Sequence, residues 1–283
     1  MVAIVKVGDS GFCYGVKRAQ KILEKAAEEN SSVDCLGSLV HNERVMQQLN
    51  SRNIKTIKDI SEIQSPAVAI SAHGVSPQVE ANLKATKCNI IDATCPSVKK
   101  VQKAAKKLAE DGYWVLIYGD PNHQEVKGIL GWAGSNAQAT TDLNSLAGRS
   151  FPKRIAVLSQ TTQVPEKYAV FIKGLIDLTL QHDAEIHILD TICRDVRKRQ
   201  VLSQELAAKV EMMLVVGGKN SANTRRLQEI CSEIIETHQI SGVKEIDPQW
   251  LKGKNNIGIT SGTSTSEEDI QEVIQYLKDC PAD

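Results

Sequence analysis

The chain has 283 residues, and its 34 basic and 34 acidic side chains give a formal net charge of zero. This balance argues against a nucleic-acid or anionic-membrane surface, because such surfaces need clustered Lys and Arg. No apolar run is long enough to span a bilayer and no signal peptide is recognisable, so we expect a cytoplasmic protein that binds neither nucleic acid nor membrane. In that reducing compartment the seven cysteines are predicted to be ligands, catalytic thiols or core residues rather than disulfides.

Short apolar runs of strand length recur along the chain, and most of them end at a polar or glycine-bearing loop. In chain order these predicted strands cover residues 2–7, 68–70, 90–92, 114–118, 155–158, 186–190, 213–216 and 257–259. Between them, apolar residues lie three and four positions apart, as in Val98, Val101, Ala105 and Leu108, which is typical of amphipathic helices. The alternation predicts an α/β fold with small parallel sheets, in which ligands gather at the carboxyl ends of strands.

One eight-residue phrase occurs three times along the chain, and it reads Cys-x-x-Val, two basic residues, any residue and Gln. The copies cover residues 13–20, 95–102 and 193–200. Equal offsets from the three cysteines lead to further matched positions, which are Gly37, Gly119 and Gly217, then His41, His123 and Ser221. A repeat of this kind indicates duplicated structural units. We therefore predict three pseudo-threefold-related α/β modules, which cover residues 1–94, 95–192 and 193–283.

Each repeated cysteine lies in a short loop between a predicted strand and a helix. The partial positive charge of a helix N-terminus favours a thiolate, so Cys13, Cys95 and Cys193 are predicted to share one metal site. The alternative is that each repeated cysteine is only a small residue that packs at a tight turn. For the metal, both a Cys3His zinc site and an iron-sulfur cluster with one iron lacking a protein thiolate stay open. The cysteines outside the repeat are predicted to be buried or incidental thiols, and they are Cys35, Cys88, Cys231 and Cys280.

Polar side chains from the predicted strand-end loops surround these cysteines. They are His41, His73, His123, Ser221, Asn223, Thr161, Ser264 and Glu125. Imidazole, hydroxyl and amide groups near helix N-termini suit a phosphate or diphosphate. Glu125 is a candidate proton donor in a buried cavity, and its repeat partner Glu43 is an alternative. Neither a dinucleotide-binding glycine fingerprint nor a full Walker A sequence occurs, so reducing equivalents are expected from another protein.

Nine short segments along the chain carry a more specific pattern. They are residues 11–16 (GFCYGV), 39–42 (LVHN), 71–75 (SAHGV), 92–96 (DATCP), 123–126 (HQEV), 159–162 (SQTT), 190–193 (DTIC), 219–221 (KNS) and 262–264 (GTS). With these segments the chain resembles, over essentially its whole length, the 4-hydroxy-3-methylbut-2-enyl diphosphate reductases, the IspH or LytB family, which are the last enzymes of the methylerythritol phosphate route to isoprenoids. Motifs this numerous and this widely spaced are highly specific.

The resemblance implies a trefoil of three α/β modules around one 4Fe-4S cluster, which Cys13, Cys95 and Cys193 hold while one iron stays open to substrate. It also implies a set of ligands for the substrate diphosphate, namely His41, His73, His123, Ser221, Asn223 and Ser264. Glu125, relayed by Thr161, would deliver protons, and an external donor such as ferredoxin or flavodoxin would supply two electrons, one at a time. The products would be isopentenyl diphosphate and dimethylallyl diphosphate, formed with loss of water.

The chain departs from the family pattern at three places. Val196 stands where Thr is usual, Ala222 stands where a second Ser is common, and Thr265-Ser266 replaces a common Ala-Pro. These changes bear on diphosphate binding rather than on the cluster. Two other classes of protein stay open from the residues alone: a hydro-lyase that uses an open iron without net redox change, and a zinc-stabilised binding module without catalysis.

Overall fold

The computed structural model describes residues 3–40, 42–179 and 183–280, which form two compact units. The first unit falls within Met1–Lys17, Val40–Gln48 and Arg194–Asp283, and the second within Arg18–Leu39 and Leu49–Cys193. The described strands are β1 (Ala3–Lys6), β2 (Val33–Leu36), β3 (Ile54–Ile57), β4 (Ala67–Ile70), β5 (Asn89–Asp92), β6 (Trp114–Tyr118), β7 (Ala137–Thr140), β8 (Arg154–Ser159), β9 (Glu185–Ile188), β10 (Met212–Val216), β11 (Thr237–Ile240) and β12 (Asn256–Ser261).

The described α-helices alternate with these strands, as the sequence periodicity predicts. They are α1 (Tyr14–Asn30), α2 (Glu43–Ser51), α3 (Pro77–Lys84), α4 (Pro96–Glu110), α5 (Gln124–Ala133), α6 (Pro165–Thr179), α7 (Arg194–Ala207), α8 (Ala222–Ser232), α9 (Pro248–Leu251) and α10 (Glu267–Asp279). Several start at a residue whose side chain accepts from a free backbone N–H of the first turn, as Ser76 does for α3 and Ser266 for α10. In the part of the chain that the structure describes, no helix is long and apolar enough to cross a bilayer.

The described residues form three four-stranded parallel sheets, which confirm the predicted α/β class. The sheet of the first unit has the order β1-β12-β10-β11, and the two sheets of the second unit have the orders β3-β2-β4-β5 and β7-β6-β8-β9. The inner strands β2, β4, β6 and β10 are buried along their whole length, because helices cover both faces of a parallel sheet. The trefoil around a cluster stays a prediction.

The first strand of the chain completes the last sheet. β1 pairs in parallel with β12, with Ala3 opposite Asn256 and Lys6 opposite Ile259. The predicted first module, residues 1–94, includes this strand, whereas the pairing joins it to strands of the predicted third module. The boundaries at 94 and 192 otherwise stay a prediction.

Each sheet has its own apolar core, which fixes the ends of the strands where the candidate site residues lie. In the first unit, Ile270 and Val273 of α10 pack on Leu214 and Ile259 of the sheet, and all four are fully buried. In the second unit, helices α4 and α5 pack on β6 and β8, where Val115, Ile117 and Leu158 are fully buried. Rigid strands therefore carry the loops that follow them.

Candidate active site

The three repeated cysteines occupy the same structural position in the three sheets. Each follows an edge strand (β1, β5 or β9) and immediately precedes a helix (α1, α4 or α7). Each also donates its backbone N–H to a carbonyl in the loop after the neighbouring inner strand. These bonds run from Cys13 to Thr263 at 3.1 Å, from Cys95 to Ala72 at 3.0 Å and from Cys193 to Thr161 at 2.9 Å. The repeated phrase in the sequence is therefore a repeated structure.

The turns that lead to Cys95 and Cys193 are built in the same way. Asp92 accepts a hydrogen bond from the Thr94 N–H at 2.9 Å, and Asp190 accepts one from the Ile192 N–H at 3.2 Å. A short acidic side chain that bonds the backbone two residues on is a standard turn-forming device. The cysteine three residues after each aspartate is thereby held at the start of its helix.

Cys95 and Cys193 both lie in the second unit, and Cys13 lies in the first. Each of the three is a partly buried cysteine outside any disulfide. The Ser97 hydroxyl, in the first turn of α4, is 3.6 Å from the Cys193 sulfur, so the two cysteine-bearing loops of the second unit adjoin.

Burial outweighs the favourable effect of the helix N-terminus on the Cys95 thiolate when the group is considered alone. Burial raises the pKa of the Cys95 thiol, and this effect exceeds the lowering caused by hydrogen bonds from the Ser97 and Val98 N–H groups. The negative charges of Cys193 and Glu125 raise the pKa further. Desolvation penalises the charged form of a buried sulfur more than two backbone dipoles favour it. Ionisation of Cys95 therefore calls for a cation beside the sulfur, as metal binding provides.

Two of the four cysteines outside the repeat are core residues. Cys35 and Cys231 are buried, and burial raises the pKa of each thiol to about 12, which keeps both protonated and inert. Cys88 and Cys280 are partly buried. The prediction of buried thiols is confirmed for the first pair.

The two predicted catalytic residues are in direct contact. Glu125 is 2 % exposed in the first turn of α5, and both of its carboxylate oxygens accept hydrogen bonds from Thr161. The Thr161 N–H donates to Oε1 at 2.7 Å, and the Thr161 hydroxyl donates to Oε2 at 2.9 Å. A buried carboxyl group that is held at both oxygens has a fixed position.

His123 and His73 lie beside this pair. His123 is the N-cap of α5, and its Nδ1 accepts from the Glu125 N–H at 3.2 Å. A neutral ring that accepts at Nδ1 carries its proton on Nε2, which leaves Nε2 as a donor. The His73 ring, from the loop after β4, meets the His123 ring edge to face with the centroids 5.5 Å apart. His41, the third predicted histidine, lies outside the described residues.

The remaining predicted diphosphate ligands lie in the first unit, on the loops that follow two paired strands or, for Asn223, in the first turn of α8. Ser221 is the N-cap of α8, where its hydroxyl accepts from the Thr224 N–H at 3.3 Å. Ser264 lies on the loop after β12, and this loop is joined to the end of β10 because the Thr265 hydroxyl donates to the Val216 carbonyl at 2.8 Å. Parallel strands that pair end at the same edge, so the two loops adjoin.

Asn223 stands out among these residues because its amide is buried without a partner. The side chain is 3 % exposed, and neither its Oδ1 nor its Nδ2 has a hydrogen-bond partner among the described residues. An unpaired buried amide costs about 1–3 kcal/mol, so it persists where a ligand completes its bonds. This observation fits the predicted role of Asn223 in binding an anion.

Sequence reasoning missed two buried polar residues near the site. Gln160 is fully buried, and its Oε1 accepts from the Asp120 N–H at 3.2 Å, which ties the loops after β8 and β6 together. Arg199 is 4 % exposed in α7. The available signal for Arg199 was its place in the repeated phrase, where the other two copies have the apolar residues Ala19 and Val101.

Within either unit, no group of three or more His, Cys, Asp or Glu side chains among the described residues is close enough to hold a single metal ion. The ligand set that the sequence predicts draws on Cys13 in one unit and on Cys95 and Cys193 in the other.

Comparison with known proteins identifies relatives of the whole chain. The LytB protein family matches residues 4–278. A protein of Dehalococcoides mccartyi (strain CBDB1), named 4-hydroxy-3-methylbut-2-enyl diphosphate reductase, is 50% identical over 268 residues, which are 94% of each chain. A protein of the same name from Pelobacter propionicus (strain DSM 2379 / NBRC 103807 / OttBd1) is 39% identical over 266 residues, again 94% of each chain.

Two solved structures have the same fold. The E-1-hydroxy-2-methyl-but-2-enyl-4-diphosphate reductase of Plasmodium falciparum matches 99% of this chain and 89% of its own, with a TM-score of 0.91 and 27% identity. An (E)-4-hydroxy-3-methyl-but-2-enyl diphosphate reductase, described as the terminal enzyme of the non-mevalonate pathway, matches 99% of this chain and 100% of its own, with a TM-score of 0.72 and 32% identity. These matches confirm the resemblance found in the motifs, and the chain belongs to the LytB family.

Proposed function

We propose that this chain reduces (E)-4-hydroxy-3-methylbut-2-enyl diphosphate to isopentenyl diphosphate and dimethylallyl diphosphate, the terminal step of the non-mevalonate route to isoprenoids. The reaction takes up two electrons and two protons and releases the substrate hydroxyl as water. The structural observation that carries the proposal is the buried Glu125 held by Thr161 beside His123. The relatives that bear this name match the chain over 94% of its length.

We further propose that Cys13, Cys95 and Cys193 hold one 4Fe-4S cluster. The donor set fits this cofactor because cluster ligands bind different iron atoms, and so need not converge on one ion. The raised pKa of Cys95 fits as well, since a buried thiol ionises when a cation binds. When bound, the cluster supplies electrons one at a time and an iron without a protein ligand that acts as a Lewis acid. An external protein such as ferredoxin or flavodoxin delivers the electrons.

Glu125 and Thr161 then form the proton path. The Thr161 N–H is always a donor, so it keeps Oε1 of Glu125 as an acceptor and leaves Oε2 as the oxygen that carries a proton. A proton on Oε2 points to the Thr161 hydroxyl, which accepts it and donates its own hydrogen onward. Glu125 thereby supplies protons to the substrate without leaving its buried position.

We propose as diphosphate ligands the residues that the sequence predicts. In the second unit, His73 and His123 offer ring N–H groups, and His123 is fixed by its bond to the Glu125 N–H. In the first unit, Ser221 and Ser264 lie on adjoining loops, and Asn223 lies in the first turn of α8, where its amide has unused hydrogen-bonding capacity. His41 completes the proposed set on sequence grounds alone.

Anaerobic purification followed by iron, sulfide and zinc analysis tests the cofactor. We expect iron and sulfide in a ratio that fits one 4Fe-4S cluster per chain, with the spectroscopic signal changing when the allylic diphosphate is added. Stoichiometric zinc with neither iron nor sulfide would establish the binding-module alternative instead.

An activity assay with and without reductant tests the reaction. We expect both isoprenoid diphosphates to form only when reduced viologen or reduced ferredoxin is supplied. Turnover of the substrate in the absence of any reductant would favour a hydro-lyase, which needs no electrons.

A further inference from the structure

The repeated phrase carries two adjacent basic residues that the proposed reaction does not use. They stand four and five residues after each cysteine, as Lys17-Arg18, Lys99-Lys100 and Arg197-Lys198. In two copies, the second basic residue contacts the loop that precedes a repeated cysteine of another copy. Arg18 donates from Nη1 to the Thr94 carbonyl at 3.2 Å, directly before Cys95. Lys198 forms an ion pair with Asp9 at 2.7 Å, in the loop before the first repeated cysteine.

These two contacts differ in strength because they differ in exposure. The Lys198 and Asp9 side chains are 65 % and 48 % exposed, and exposed ion pairs contribute little to stability. Arg18 is half-buried and Thr94 is 3 % exposed, so the bond between them lies largely away from solvent. A charged donor makes a stronger hydrogen bond than a neutral one, and its removal leaves a buried carbonyl unsatisfied. The Arg18 contact is therefore the one with a structural consequence.

The Arg18 bond holds one end of the peptide group that leads into Cys95. The carbonyl of this group, which belongs to Thr94, accepts from Arg18. The N–H of the same group, which belongs to Cys95, donates to the Ala72 carbonyl at 3.0 Å. A peptide group is planar and includes the next Cα, so bonds at both of its ends fix the point from which the Cys95 side chain starts.

The remaining side-chain bonds of this loop are local. Asp92 accepts from the Thr94 N–H at 2.9 Å and pairs with Lys99, in the first turn of α4. These contacts fix the shape of the turn, but all of their partners are near neighbours in the sequence. Arg18 lies in α1, 76 residues from Thr94 in the sequence and within the same compact unit. It therefore fastens the loop to a separate helix, which the local bonds cannot do.

We propose that Arg18 is a positioning residue that holds Cys95 in the orientation that binds the metal centre, and so slows the loss of that centre. This inference rests on the proposed function, because it requires a metal centre at Cys95. Residues that orient metal ligands without touching the metal typically contribute about 10- to 100-fold to metal affinity. Arg18 acts in this way through the peptide group before Cys95 rather than through the sulfur.

Release of iron from the anaerobically purified protein to an excess of a ferrous chelator, followed by the absorbance of the chelate, tests the inference. We expect Arg18→Met to release iron about 10- to 100-fold faster, because the Thr94 carbonyl loses its donor while an apolar stem is kept. Arg18→Lys keeps a charged donor and should recover most of the difference. Arg18→Gln also removes the charge, and it replaces the Met variant if that protein does not fold.

A second readout separates the orientation of Cys95 from a general loss of stability. Thiols that are set free during iron release are trapped with iodoacetamide and located by mass spectrometry. We expect Arg18→Met to raise the labelling of Cys95 relative to Cys193 early in the release, since the lost bond belongs to the Cys95 loop. A ratio of the two labels that is unchanged from wild type overturns the inference.

The matched control is Lys21→Met, which removes the same charge from the same helix at an exposed side chain. We expect this variant to release iron at the wild-type rate. Equal rates in Arg18→Met and Lys21→Met overturn the inference. A wild-type protein that binds no iron-sulfur cluster overturns the proposed function itself, so the two failures are distinguishable.

Discussion

Thr161 donates hydrogen bonds to both oxygens of Glu125, with its N–H 2.7 Å from Oε1 and its hydroxyl 2.9 Å from Oε2. The two residues come from the loop after β8 and from the first turn of α5, which begin at the ends of neighbouring parallel strands. One of the two bonds can reverse its direction and the other cannot. In the proposed proton path, Oε2 is therefore the oxygen that carries the transferable proton of Glu125.

Replacing Glu125 with Gln should leave cluster and substrate binding intact while lowering kcat about 100- to 10,000-fold, because only the proton supply is lost. The amide oxygen still accepts from the Thr161 N–H, so the fold at this point is preserved. Steady-state turnover with reduced viologen measures the effect. Glu166→Gln, at an exposed position, is the control and should keep full activity. An active Glu125→Gln enzyme would reject the assignment.

Replacing Thr161 with Val removes the relay hydroxyl but keeps the N–H bond to Glu125. We expect kcat to fall about 100-fold, and the free energy of unfolding to fall by about 1–3 kcal/mol because Oε2 loses its partner. Thr161→Ser keeps the hydroxyl and should recover most of the turnover. The relay is refuted if the Val and Ser variants have the same kcat.

Replacing Asn223 with Ala should weaken diphosphate binding at little cost to the ligand-free protein, because the buried amide has no partner to lose. We expect the free energy of unfolding to stay the same or to rise, by up to about 3 kcal/mol, because the substitution removes an unpaired buried amide. Ser221→Ala is the contrasting variant, since loss of the α8 N-cap costs about 0.5–2 kcal/mol. Thermal unfolding with and without inorganic pyrophosphate measures both effects. Undiminished stabilisation of Asn223→Ala by pyrophosphate would contradict the proposed contact.

Gly74, next to His73, is required by both its backbone angle and its surroundings. Its φ is +68°, and a Cβ would lie 2.5 Å from Gln102 Nε2 and 2.9 Å from Thr94 Cγ2. Gly253 has a φ of +72° with nothing within 4 Å, so Gly253→Ala isolates the backbone strain of about 1–2 kcal/mol. We expect Gly74→Ala to lower the free energy of unfolding, measured in urea, by at least about 1 kcal/mol more than the control variant does. Equal losses of unfolding free energy in the two variants would show that the Gln102 and Thr94 side chains move aside at no energetic cost.

Asp92 should make the turn before Cys95 sensitive to acid. Burial raises the pKa of Asp92, but hydrogen bonds from Lys99 and Thr94 outweigh it and hold the pKa below the ordinary 3.8. A depressed pKa stabilises the fold above pH 3.8, and that stabilisation is lost as the pH falls through the lower, folded-state value. The difference in free energy of unfolding between wild type and Asp92→Asn, measured in urea, should therefore be constant near neutral pH and disappear in acid. A gap that does not change with pH would contradict this account.

Structural features that depend on residues close together in the sequence were predictable before the structure was known. Turn residues, cap residues and apolar spacing act over a few positions, so the alternation of strands and helices and the loop positions of Cys13, Cys95 and Cys193 were predictable. The phrase that occurs three times predicted the pseudo-threefold relationship of the modules. The nine short segments pointed to the family that the comparisons confirm. Length and charge excluded only broad classes of protein.

Features that depend on strand order and burial became visible only in the folded chain. The pairing of β1 with β12 joins the two ends of the chain, which no local pattern encodes. The bond from Thr161 to Glu125 spans 36 residues and exists because β6 and β8 are neighbours. Burial then reversed the expected effect of a helix N-terminus on the pKa of Cys95, and it left Asn223 and Arg199 with unsatisfied polar atoms. Desolvation is a property of the whole fold, so it cannot be read from the spacing of residues.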